Sequence, residues 1–126
     1  MKQLIILLAI IPLTIFVKAQ SKEWKEEKAF HSLMSSSFHP AEEGNFKPLK
    51  QKADSLVIAS KAWQASAIPA NYKIKETKEE LQKLVAQCIK IQTALKANAT
   101  NEELKKQITE AHEIFHHIVG ECKKND

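Results

Sequence analysis

The sequence predicts an all-α protein, an antiparallel up-down-up-down four-helix bundle that follows a cleaved signal peptide. Apolar residues recur at steps of three and four rather than two, which is helix spacing and not strand spacing. Three short breaks, at 39–45 around Pro40 and Gly44, at 67–71 around Pro69, and at 97–100 around Asn98, divide the chain beyond its leader into four segments. Connections this short make successive helices antiparallel neighbours.

The leader is read from its polarity. Lys2 precedes an almost unbroken apolar run from Leu4 to Val17, and Val17-Lys18-Ala19 places small residues where an export peptidase reads. The run is about 14 residues and contains Pro12, short of the ~20 apolar residues a spanning helix needs. Residues 1–19 therefore read as signal peptide and 20–126 as one bundle domain, periplasmic or secreted, with no stable membrane insertion after cleavage. The first cysteine is Cys88, so no lipid anchor is expected at the cleavage point. Loss of Lys2 and Lys18 lowers the formal charge from +4 to +2. The chain contains no Arg, the residue whose planar fork reads phosphates and base edges, and its lysines alternate with glutamates as on solvated helix faces. Nucleic acid is not an expected partner.

The first helix shows Phe30, Leu33, Met34, Ser37 and Phe38 on one face, with Trp24, Glu27 and His31 on its flank. The second carries Leu49, Ala53, Leu56, Ser60, Trp63 and Ala67, widened by Val57, with Asn45 as expected N-cap and Pro48 in the first turn. The third is seamed by Ile74, Thr77, Leu81, Leu84, Cys88, Ile91 and Leu95. The fourth is seamed by Leu104, Ile108, Ala111, Phe115, Ile118 and Cys122, and Thr100 with Glu103 forms a capping box at its start. An exported chain with two cysteines invites a disulfide. Measured from the turn near Asn98, however, Cys88 and Cys122 differ in height by about 18 Å, far beyond the ~7 Å Cα limit, so two free thiols are expected.

Three of the five histidines fall within Ala111-His112-Glu113-Ile114-Phe115-His116-His117. Residues four apart stand one above the other on a helix, so His112 and His116 can offer two imidazoles to one ion. With Phe115 at the centre of the buried face, His112 is half-buried, His116 lies at the boundary and His117 points to solvent. An up-down bundle brings the first and fourth helices together, which makes His31 the expected third ligand, with Glu27 or Met34 as further candidates. His39, beside Pro40 and followed by Glu42 and Glu43, is a weaker metal candidate, expected at the other end of the bundle or as a polar turn. A small transition-metal site, for copper or zinc, is the leading reading, because imidazoles suit both ions. Ordinary boundary histidines are the alternative.

Phe38-His39-Pro40-Ala41-Glu42-Glu43-Gly44-Asn45, Trp63-Gln64-Ala65-Ser66-Ala67-Ile68-Pro69 and Phe115-His116-His117-Ile118-Val119-Gly120-Glu121-Cys122-Lys123-Lys124 together resemble a small exported relative of the cytochrome c prime and b-type four-helix-bundle cytochromes. Val119-Gly120-Glu121-Cys122-Lys123 resembles the start of a covalent haem-attachment segment, but no second cysteine and histidine follow, so covalent haem is not expected. The resemblance implies a non-covalent haem-binding, cytochrome-like electron carrier as the alternative function, with a methionine from the first helix and a histidine late in the fourth. Met34 and His116 are expected to be offset in height, with His116 closer to Trp24, which favours a metal ion over haem. A ligand-free partner-binding or chaperone-like bundle, using Ile58 and Ile114, is a further alternative. A homodimer is compatible with any of these. No catalytic triad context or glycine-rich phosphate loop suggests an enzyme.

Overall fold

The computed structural model describes residues 23–125, and the signal peptide read at residues 1–19 lies outside them. Four α-helices make up the described chain: α1 Lys25–Glu42, α2 Lys47–Ala65, α3 Ile74–Lys96 and α4 Asn101–Glu121. Each packs against its chain neighbours, and α1 and α4 close the ring. The result is the four-helix up-down-up-down arrangement that the spacing predicts. Among the described residues no helix is long and apolar enough to cross a membrane.

Side-chain chemistry explains where each helix ends. α1 continues through Pro40 to Glu42, where a break was expected to begin at His39. Proline removes the N–H that would bond the Ser36 carbonyl, yet the helix continues one more half-turn before Gly44 supplies the stop. At φ +84° it lets its own N–H reach the Ala41 carbonyl at 3.0 Å and lets the Asn45 N–H reach the Pro40 carbonyl at 2.8 Å. The same double closure ends α3, where Asn98 at φ 54° and Ala99 bond back to Leu95 and Ala94. α2 starts one residue later than expected: Phe46 is the N-cap, and the Asn45 side chain accepts from the Lys47 N–H at 3.2 Å. Thr100 caps α4 by accepting from the Glu103 N–H at 3.2 Å.

The expected seams are largely the core. Phe30, Met34, Leu49, Leu56, Trp63, Leu84, Cys88, Ile91, Ile108 and Ile118 are all fully buried. Two seam expectations fail at helix ends: Ala67 lies beyond the end of α2 and is exposed, and Ile74, the first residue of α3, is 60% exposed. Terminal positions extend past the partner helix, so periodicity alone cannot bury them. An aromatic cluster fills the lower half of the bundle. Trp63 meets Trp24, Phe30 and Phe115 at ring-centroid distances of 5.5, 5.5 and 5.9 Å. Below it, Trp24 Nε1 donates to Ser66 Oγ at 2.7 Å, and the Lys73 and Lys124 N–H groups bond the Cys122 and Asn71 carbonyls at 2.8 Å each.

These contacts fix the vertical register. Gln87 Nε2 donates to the Gln107 carbonyl at 2.9 Å, and the Lys73 N–H meets the Cys122 carbonyl. Cys88 and Cys122 thus lie about 15 residues, or roughly 22 Å, apart along the bundle, and both are free thiols. Across the closing seam, Phe38 is level with His112, whereas Phe30 and His31 are level with Phe115.

Candidate metal centre

The seam between α1 and α4 is the most thinly packed of the four, and it holds four of the histidines. Phe115 points into the core, so His112, three residues earlier, lies at the edge of the buried face. There it rests flat on Phe38, with ring centroids 3.8 Å apart and planes inclined by 11°. Phe38 is itself buried, and the stack fixes the imidazole plane at the seam.

One turn further along α4, His116 turns its ring at 76° to that of His112 and brings Nε2 to 3.1 Å from the His112 Nε2. Two imidazolium rings would repel at that distance. The contact is stable when a single proton lies between the nitrogens, or when a cation takes its place. Nitrogens bound at ~2.0–2.1 Å to one tetrahedral ion are about 3.3 Å apart, and cis nitrogens on a square-planar ion about 2.9 Å. The observed separation falls between these two values. Burial holds the His112 pKa below the usual histidine value, helped by the neighbouring His116 and His39 and opposed by Glu42 and Glu113. A lowered pKa keeps the ring neutral, the form that binds a metal.

His39 is closer to this pair than the sequence implies. Because α1 runs on through Pro40, His39 belongs to a helix facing α4 rather than to a turn at the far end of the bundle. Its ring centroid is 6.4 Å from that of His112, and its Nδ1 lies 3.3 Å from Glu42 Oε2. His31 is placed differently. It precedes Phe38 by two turns, about 10 Å, and stacks on Phe115 at 5.0 Å and 13°. His117 is exposed, as its position on the helix predicts. Glu27 lies at the opposite end, near Tyr72.

The Phe38–His112 and Phe30–Phe115 contacts together place His116 between the levels of Phe30 and Met34 on α1. Met34 is nevertheless fully buried, and His116 Nε2 faces His112 rather than the core. The thiols take no part: burial pushes Cys88 up to about 12, and the raised Cys122 thiol lies beside Thr77.

Among the described residues no three histidine, cysteine, aspartate or glutamate side chains stand ready to hold a metal ion. The prepared element is the pair, and any further ligand must rotate into place. Sequence reasoning missed two contributors, the Phe38 platform and the position of Glu42 at the same seam. Their signal was the pattern Phe38, His39, Glu42 on one helix, which becomes informative once α1 is known to pass through Pro40. Compared with protein-family models, curated proteins and solved structures, the chain matches none.

Proposed function

We propose that this protein binds a transition-metal ion, copper or zinc, through His112 and His116, and does so as an exported four-helix bundle of the periplasm or the extracellular space. The observation that carries the reading is the 3.1 Å approach of the two Nε2 atoms, a spacing that suits two nitrogens on one ion. Packing supports it, since the His112 ring is fixed on Phe38 and leaves only the more exposed His116 to adjust. The export reading rests on the leader sequence alone.

The observations favour this reading over non-covalent haem. The interior beside the histidines is filled by Phe30, Trp63 and Phe115, so a porphyrin between Met34 and His116 would have to displace packed aromatic rings. An open groove of about 500 Å³ between α2 and α3 is lined by Lys50, Asp54, Gln92 and Lys96 and has no histidine. Partner binding through an apolar strip is less well supported, because Ile114 packs partly against the core while Ile58 stands exposed on α2.

The test is a zinc titration of the purified, chelator-treated protein followed by the imidazole ring-proton resonances. The His112 and His116 signals should move together and saturate at one ion, while His117 stays in place. Equal displacement of all five histidines would indicate weak surface binding and contradict the proposal.

A further inference from the structure

We infer that Glu42 and His39 complete the His112 and His116 pair, giving a site of three imidazoles and one carboxylate that selects a divalent ion. This rests on the reading that the pair binds metal, and it deepens that reading by naming the remaining ligands and the class of ion. Phe38 touches His112, and Glu42, four residues on, stands directly above Phe38 on the same face of α1. His39 neighbours both: its Nδ1 meets Glu42 Oε2 at 3.3 Å, and its ring is 6.4 Å from that of His112.

Completion requires little of the fold. The side chains of His39 and Glu42 are 64% and 48% exposed, so they can rotate toward the pair without moving the backbone. An ion would exchange the hydrogen bond between them for two metal bonds. Glu42 also sits in the last turn of α1, where the helix dipole disfavours a carboxylate, with Glu43 next to it at the C-cap. A cation at the seam relieves that electrostatic cost.

The donor set determines the class of ion. Three neutral imidazoles and one carboxylate suit zinc or copper(II), whereas copper(I) favours thiolate and thioether ligands. Among the described residues the sulfur atoms do not reach the seam surface: Met34 and Cys88 are fully buried, and Cys122 lies at the far end by Thr77.

The experiment compares zinc affinity, by competition with a chromophoric chelator, among the parent protein and the variants Glu42→Gln, His39→Ala, His31→Ala and His112→Ala/His116→Ala. Glu42→Gln and His39→Ala should each weaken binding by at least the about 10- to 100-fold that losing even an outer partner of a metal ligand costs. His31→Ala should bind like the parent, and the metal-free melting temperature of Glu42→Gln should not fall. If the paired histidines are needed but Glu42→Gln and His39→Ala bind as tightly as the parent, the completed site is wrong and the pair stands. If the double variant also binds like the parent, both readings fall.

Discussion

Replacing Phe38 by Leu removes the ring on which His112 lies while keeping an apolar side chain at a position that is 7% exposed. A stacked ring pair contributes about 0.5–1.5 kcal/mol beyond the area it buries. The smaller leucine, still apolar and able to repack, adds up to about 1.5 kcal/mol. The variant should therefore lose roughly 0.5–3 kcal/mol, and its melting temperature should fall by about 4–8 °C for each kcal/mol in a domain of about 100 residues. Urea unfolding of the metal-free protein measures the loss, and an unchanged slope would show that the unfolded state is not altered. A double-mutant cycle with His112→Ala isolates the stack and should return a coupling of about 0.5–1.5 kcal/mol. The His112 ring protons, held over an aromatic face, should also lose their upfield shift in Phe38→Leu. A coupling indistinguishable from zero, together with unmoved ring protons, would show that Phe38 does not position His112.

Further outcomes follow from individual contacts. Thr100→Ala removes the side-chain acceptor for the Glu103 N–H and should cost about 1 kcal/mol in chemical denaturation, whereas Thr100→Ser should cost little. Thiol titration of the unfolded, unreduced protein should find both Cys88 and Cys122 free, and Cys88, pushed up to about 12 by burial, should react slowly in the native state; a disulfide would overturn the register of α3 and α4. Because the His112 pKa is depressed in the folded state, its contribution to stability is fully present above the unfolded value near about 6.5 and is lost as pH falls through the lower folded value. Ring-proton titration should accordingly place the His112 midpoint below that of the same residue in the unfolded chain, and the reverse order would contradict the burial of the ring.

Helix periodicity made the architecture legible, since Leu56, Trp63, Leu84, Ile91, Ile108 and Ile118 are all buried at the steps their spacing requires. The height argument for the cysteines held because it depended only on rise per residue from a well-marked turn. The end of α1 was not legible. Pro40 reads as a break, yet α1 continues through it, and the stop depends on Gly44 adopting a left-handed conformation. That one boundary misplaced His39 and Glu42 and ranked His31 above His39 as the neighbour of His112. The pairing of His112 and His116 was legible from the four-residue spacing, whereas their shared orientation and the Phe38 platform depend on how α1 and α4 meet.

The central claim is that His112 and His116 form a metal-binding pair. Calorimetric titration of the tag-free protein with zinc, copper(II) and, separately, haemin tests it most directly, using the His112→Ala/His116→Ala double variant and His117→Ala as controls. The parent and His117→Ala should bind one zinc or copper(II) ion per chain with nearly equal affinity, and the double variant should bind neither. A double variant that binds either metal as tightly as the parent, or a parent that binds haemin and no metal ion, would contradict the account.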